Sequence, residues 1–180
     1  DNLLTFIVAG HETTALTLAW SKYLVAFDQD VQDAARAQAQ SVLNGRAATG
    51  DDVEHLPLIR LIIDEALRLY PPGGIVSRTA MADDVLCGRE VRKGDTVMLP
   101  IYALHRSKLL WDAPDAFRPS RFEDRKAIDR YAYLPFGDGP RICIGASFAL
   151  QEAVIILATM LSRFKVRPVP GRDPEPVMIL

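Results

Sequence analysis

The segment FGDGPRICIG, residues 136–145, places one cysteine between an arginine and a glycine, ahead of a long apolar run. Gly137, Gly139 and Gly145 allow tight turns and the close approach of a flat ligand. A helix that begins after Cys143 would direct free amide groups and its positive dipole end at the sulfur, which favours a thiolate. Arg141 adds a cation that can bind a carboxylate. A thiolate, an anion-binding group and space for a flat ligand are together typical of a haem-binding site.

Three other interpretations of this cysteine stay open on the residues alone. A lone cysteine before an apolar helix is often only a small buried hydrophobic side chain. A zinc site is disfavoured because no second cysteine or histidine lies at ligand spacing, and the histidines at 11, 55 and 105 are scattered. A nucleophilic cysteine would need a base, and only tertiary contacts could bring a histidine near it.

A second group of charged residues has a structural rather than a chemical pattern. Glu65 lies among the leucines of a predicted helix, whereas Arg60, Asp64 and Arg68 share a polar stripe. A carboxylate on an apolar face must find a cation, so we expect a buried pair with Arg68 that needs further donors. Arg121, in the segment FRPSRF, is a candidate for that donor. The alternatives are an exposed ion pair on the helix and an ordinary solvated loop.

The first predicted helix contains the polar run AGHETT, residues 9–14, in an otherwise apolar sequence. A glycine and a hydroxyl inside a helix loosen its hydrogen bonds and can open a groove for water and a small ligand. Glu12 beside Thr13 could then relay protons. In the alternative, the helix breaks at Gly10, and Thr13 or Thr14 caps a second, short helix.

The elements that must position these residues are mostly helical. We predict a buried helix over about residues 3–27 and a second one near the surface, capped by Asp28 and ended by Asn44. A third begins at Pro57 and stops before residue 71, and a last one spans about 144–162. Strand-like pieces cover 75–78, 85–91 and 96–102, with turns at Gly88 and at Lys93-Gly94. The segment 105–135 has no sustained period.

Composition narrows the class of protein. The chain has 180 residues, 49% of them hydrophobic, and a net charge of −2, which favours neither nucleic acid nor an anionic membrane as a partner. Two cysteines do not make a disulfide framework, so we expect a reducing compartment. The apolar run at residues 3–10 is too short to span a bilayer. The uncapped start and a strand-like 177–180 without a partner suggest a fragment of a longer protein.

Four motifs in this order resemble those of the cytochrome P-450 monooxygenases. FGDGPRICIG is similar to the haem-ligand loop, Phe-x-x-Gly-x-Arg-x-Cys-x-Gly, and AGHETT to the oxygen-binding helix. EALR, residues 65–68, matches the Glu-x-x-Arg motif, and FRPSRF, residues 117–122, matches Phe-x-Pro-x-Arg-Phe. Ser120 stands where a glutamate is common in the family. The resemblance implies a cytochrome P-450-like fold, mainly α with small β-sheets, of which residues 1–180 form the C-terminal part of one domain.

The resemblance also assigns roles to the cofactor-binding residues. Cys143 would be the axial ligand of the iron of haem b, with Phe136 near the sulfur and Gly137 and Gly145 against the ring. Arg141 and Arg78 would bind the propionates.

Two further groups of residues receive roles in the same way. Thr13 and Glu12 would deliver protons to dioxygen, and Ala9 and Gly10 would leave room for it. Glu65, Arg68 and Arg121 would form a buried structural triad.

The implied reaction inserts one atom of O2 into a hydrophobic small molecule. Electrons from NAD(P)H would arrive through a ferredoxin or a flavoprotein reductase that docks on the Cys143 side. Candidate substrate contacts are Phe6, Ala9, Ile75 and Val76, and we expect a cytoplasmic protein. A haem-binding sensor or carrier without turnover, and an inert fragment, are the competing interpretations.

Overall fold

The computed structural model describes residues 2–171, with side chains from Leu4 onward, so the strand predicted at 177–180 lies outside the described residues. The described part is mainly helical with two small sheets, the class predicted from the sequence. Its helices and strands, in chain order, are α1 Asn2–Phe27, α2 Gln29–Leu43, α3 Pro57–Leu69, β1 Val76–Thr79, β2 Asp84–Leu86, β3 Arg89–Val91, β4 Thr96–Leu99, α4 Ile101–Leu104 and α5 Ala146–Arg163.

Local signals set the helix boundaries where the sequence predicted them. The Asp28 side chain accepts the amide of Val31 at 3.0 Å and so caps α2. Asn44 adopts the left-handed conformation, φ 47°, that ends this helix. Pro57 occupies the first turn of α3, where a missing N–H costs nothing.

Helix α1 is continuous, and the alternative in which a threonine caps a second helix after Gly10 is wrong. The Thr13 hydroxyl donates to the Ala9 carbonyl at 2.7 Å, one turn back inside the helix. The prediction that α1 is buried is wrong for its first half, because Phe6 is 55% and Val8 67% exposed. Burial begins at Thr14, since α2, α3 and α5 pack against the later turns.

The two sheets are antiparallel pairs. Strand β1 pairs with β4, with Val76 opposite Leu99, and β2 pairs with β3. The turn predicted at Gly88 within 85–91 is confirmed, because it joins β2 and β3 into a hairpin in which Cys87 and Gly88 both have positive φ, as a type I′ turn requires. The strand predicted at 96–102 ends at Leu99, and α4 starts after Pro100.

The main core lies between α2, α3 and α5, with the end of α1. Helix α2, predicted to lie near the surface, contributes the fully buried Ala35 and Ala39 to it. Alanine side chains are short, so a helix face built from them can approach α5 closely although it carries little apolar area. Helix α5 is long and apolar enough to cross a membrane by composition, but Val154, Leu157 and Leu161 pack into this core.

A buried glutamine joins α2 to the chain after α5, which leads to the first prediction. Gln32 is fully buried, donates to the carbonyls of Val25 and Val166 at 2.8 and 2.9 Å, and accepts the Val166 amide at 2.7 Å. Replacement by leucine removes the partner of the Val25 carbonyl and of the Val166 amide, while Gln29 still donates to the Val166 carbonyl at 3.1 Å, so we expect a loss of about 3 kcal/mol in the free energy of unfolding. Urea unfolding followed by circular dichroism measures it.

The matched control is Gln40→Leu, on the same helix. Gln40 donates to the Ser162 carbonyl at 3.0 Å, but at an exposed position where water can replace it. We expect a change within about 0.5 kcal/mol. Equal losses in the two variants would contradict the importance of the buried amide.

Candidate functional site

A cavity of about 940 Å³ lies between the first half of α1, the end of α3, strand β1 and the loop before α5. Its volume is within the range of small-molecule and cofactor sites. Each residue predicted to contact the cofactor lines it: Ala9, Gly10, Arg78, Phe136, Gly137, Arg141, Cys143 and Gly145. Thr13 and the predicted substrate contacts Phe6, Ile75 and Val76 lie on the same surface.

The loop before α5 holds Cys143 through its own backbone bonds. The amide of Gly137 donates to the Leu134 carbonyl at 3.1 Å, and the Cys143 amide donates to the Phe136 carbonyl at 3.0 Å. Gly137 has φ 72°, which a side chain would disfavour. A Cβ at Gly145, the N-cap of α5, would lie 3.9 Å from the Cys143 sulfur. The sulfur therefore sits beside the positive end of the α5 dipole, which favours an anion there.

Another part of the cavity lining is formed by α1. A Cβ on Gly10 would meet no atom within 4 Å, so this turn of the helix borders open space. Thr13 lines the cavity, and its hydroxyl keeps free lone pairs while donating to the Ala9 carbonyl. Glu12 is exposed and does not line the cavity, so the structure does not bring it together with the other site residues.

Two arginines stand at the edge of the cavity in a mostly apolar surround. Arg78 and Arg141 are both exposed, and the Arg78 guanidinium donates to the Ser77 carbonyl at 2.7 Å. Ile144 and Phe148 add exposed apolar surface to the same cavity, at 85% and 70%. A ligand with a broad apolar body and carboxylates at its edge matches this distribution.

The third predicted group meets away from the cavity. Glu65 and Arg68, both fully buried, form a bidentate pair with N–O distances of 2.7 and 2.8 Å. Arg121 Nε donates to Glu65 at 3.0 Å, and the Arg118 amide donates to the same oxygen at 2.9 Å. The buried carboxylate thus has four donors, which compensates for its desolvation.

The same arginine holds the irregular segment in place. Besides Glu65, the Arg68 guanidinium donates to the carbonyls of His105, Pro114 and Ala116 at 2.6–3.2 Å. These carbonyls are not paired within a helix or a sheet, so one buried cation supplies the hydrogen-bond donors that regular structure would otherwise provide. This contact fixes the segment that leads to the cysteine loop.

A second buried network was missed in the sequence. Asp64, on the predicted polar stripe, is 1% exposed and binds Arg60 at 3.0 Å and Arg125. It also accepts the Tyr133 hydroxyl at 3.2 Å. Burial raises the pKa of Tyr133 well above its usual value, and the Asp64 charge adds to this. Arg125 and Tyr133 lie 61 and 69 residues from Asp64 in the chain, so only Arg60 and Asp64, which share the polar stripe, carried a sequence signal.

The donor set of the cavity suits haem rather than a bare metal ion. The described residues contain no group of three His, Cys, Asp or Glu side chains placed to hold a metal. A single sulfur cannot complete a tetrahedral site, but it suffices for an iron whose other ligands are porphyrin nitrogens. The open glycine wall, the apolar surround and the two edge arginines also fit the group.

Comparison with known proteins agrees with this geometry. The profile of the family described as cytochrome P-450 matches residues 1–180. The chain belongs to the cytochrome P-450 family. It is 39% identical to cyclooctatin synthase and 41% identical to cyclooctat-9-en-7-ol 5-monooxygenase, both of Streptomyces melanosporofaciens. It is 38% identical to the chloroplastic carotene epsilon-monooxygenase of Arabidopsis thaliana.

These matches cover nearly the whole chain but only part of each relative. The match to cyclooctatin synthase covers 100% of this chain and 40% of that protein. For cyclooctat-9-en-7-ol 5-monooxygenase the shares are 95% and 38%, and for carotene epsilon-monooxygenase they are 96% and 33%. The chain thus spans about two fifths or less of their length. The activity, substrate and partners of the whole protein are therefore proposed below.

Proposed function

We propose that the protein is a haem-thiolate monooxygenase, which inserts one atom of O2 into an apolar substrate. The observation that carries this proposal is one cavity that is lined both by Cys143 and by Gly10 and Thr13. The names of two relatives, which denote monooxygenases, and the membership in the cytochrome P-450 family support it. A carrier of haem would need the cysteine loop but no hydroxyl facing it.

The chain's own residues would bind haem b at two places, the iron and the propionates. Cys143 would bind the iron through its sulfur, which is oriented by the bond from its amide to the Phe136 carbonyl and lies beside the start of α5. Arg78 and Arg141 would bind the propionates. When bound, the haem supplies an iron whose thiolate ligand favours O–O cleavage.

The chain's part in proton delivery is centred on Thr13. Its hydroxyl donates to Ala9 and can accept a hydrogen bond from a water or a ligand in the cavity. Such an acceptor orients a proton donor toward the space that Gly10 leaves free. Glu12 would act only through water, since its side chain lies outside the cavity.

The substrate class follows from the apolar surface that faces Thr13. Phe6, Ile75 and Val76 line the cavity and offer contact area without charge. Two relatives have names that refer to carotene and to cyclooctat-9-en-7-ol. We propose a hydrophobic small molecule as substrate, and a ferredoxin or flavoprotein reductase that passes on electrons from NAD(P)H.

The test of turnover is Thr13→Ala in the haem-loaded protein from the complete reading frame, with a reductase and O2. We expect dioxygen consumption to continue while more of it ends as hydrogen peroxide, because protons are no longer directed. The ratio of peroxide released to oxygen consumed is measured. Thr13→Ser keeps the hydroxyl and should restore the wild-type ratio. An unchanged ratio in the alanine variant would favour a haem carrier.

A further inference from the structure

We propose that His105 is a positioning residue for the haem-ligand loop, acting as the hydrogen-bond acceptor that fixes the backbone at Leu134. The Leu134 amide donates to His105 Nε2 at 2.8 Å. This inference rests on the proposed function, since it concerns how the thiolate is presented. It gives a role to a histidine that the sequence motifs leave unused.

The histidine itself is held rigidly. His105 is fully buried at the end of α4, where its amide donates to the Ile101 carbonyl at 2.9 Å. Its carbonyl accepts Arg68 Nη1 at 2.9 Å, which ties it to the buried pair with Glu65. The imidazole lies 5.4 Å from the Tyr133 ring, centre to centre. The backbone of His105 is thus fixed at its amide and its carbonyl, and its buried ring packs beside Tyr133, so the imidazole can transmit its position to the residue it binds.

Its partner begins the turn that presents the sulfur. The Leu134 carbonyl accepts the Gly137 amide, and two residues further on the Phe136 carbonyl accepts the Cys143 amide. Leu134, Phe136 and Cys143 all line the cavity. A shift of the Leu134 backbone therefore moves the acceptor that orients Cys143. An ion pair also reaches this loop, between Arg130 and Asp138. Its N–O distance is 3.3 Å and the arginine is exposed, so it constrains the loop little.

The chemical state of the imidazole agrees with an acceptor role. Burial lowers the pKa of His105 to about 4, and the charges of Arg68 and Arg106 act in the same direction. The backbone carbonyls of Arg68 and Leu67 oppose part of this effect. The ring is thus neutral near pH 7, with its proton on Nδ1 and its Nε2 lone pair free for Leu134.

The experiment compares two variants in the haem-loaded protein expressed from its complete reading frame. His105→Leu replaces the acceptor nitrogen by an apolar side chain. His105→Gln keeps an acceptor, an amide oxygen that can reach the Leu134 amide. The reduced carbon monoxide spectrum measures the ratio of thiolate-ligated to non-thiolate haem. We expect a roughly tenfold fall in this ratio for leucine and a ratio near wild type for glutamine. A merely structural role would lower the melting temperatures without changing this ratio in the folded protein.

The remaining outcomes are decisive as well. A folded leucine variant with the wild-type ratio would overturn the role of His105. Should that variant not fold, His105→Asn, whose amide is too short to reach Leu134, takes its place with the same two outcomes. Absence of the thiolate signal in wild-type, haem-loaded protein would instead refute the proposed function, whatever the variants show.

Discussion

Replacing Cys143 by serine is expected to abolish the thiolate signal of the haem-loaded protein and with it all oxygen insertion. A serine hydroxyl stays protonated at neutral pH and is a poor iron ligand, so it cannot supply the electron density that a thiolate gives. Because Cys143 is exposed in the cavity, the change should leave the fold intact. The reduced carbon monoxide spectrum and far-ultraviolet circular dichroism measure the two effects separately.

The chain offers a matched control in its other cysteine. Cys87 is also a free, exposed thiol, but it lies in the turn between β2 and β3 and does not line the cavity. Cys87→Ser should keep the thiolate signal and the activity of wild type. If Cys143→Ser retained the signal as well, the sulfur would not be the ligand, and the assignment of the cavity to haem would fail.

Replacing Arg68 by leucine should have the largest effect on folding. The guanidinium makes five hydrogen bonds, two to Glu65 and three to backbone carbonyls of the irregular segment. Their loss removes two of the four donors to the buried Glu65 carboxylate and leaves the carbonyls of His105 and Pro114 without this cation, so we expect a cost of about 3–5 kcal/mol in the free energy of unfolding. This is a large fraction of the usual stability of a domain, about 5–15 kcal/mol. Urea unfolding and the yield of soluble protein measure it.

Two further variants identify the cause. The double variant Glu65→Leu with Arg68→Leu removes the under-compensated carboxylate, while Arg121 keeps its bonds to the carbonyls of Asp112 and Ala113, so part of the stability should return. Asp112→Asn breaks an exposed pair with Arg118, 2.9 Å long, and should cost less than about 1 kcal/mol. A cost for Arg68→Leu as small as that of Asp112→Asn would show that the buried network contributes little.

The sequence predicted much of the local structure because the signals for it are local. Asp28 and Asn44 bound α2, and Pro57 starts α3, each through the conformation or hydrogen bonding of a few neighbouring residues. The spacing within FGDGPRICIG likewise placed a cysteine ahead of a helix, which α5 confirms. A motif of about ten residues determines which side chains lie next to one another within a single helix or loop.

Predictions that depended on distant partners were less successful. The apolar first half of α1 was expected to be buried, yet Phe6 and Val8 face the cavity or solvent. Helix α2 was expected to lie near the surface, yet Ala35 and Ala39 are fully buried in the core. His105 was noted only as an unlikely zinc ligand, since nothing near it in the chain indicates its partner.

What the sequence determined alone is the set of reactive groups: a thiol before a helix, a hydroxyl inside a helix, and a carboxylate on an apolar face. Tertiary structure decided which of them meet. Cys143 and Thr13 face one cavity, and Arg68 and Leu134 reach His105 across 37 and 29 residues. Residue types and spacing act over one or two turns of chain, whereas contacts at such separations exist only once packing of the core brings the segments together.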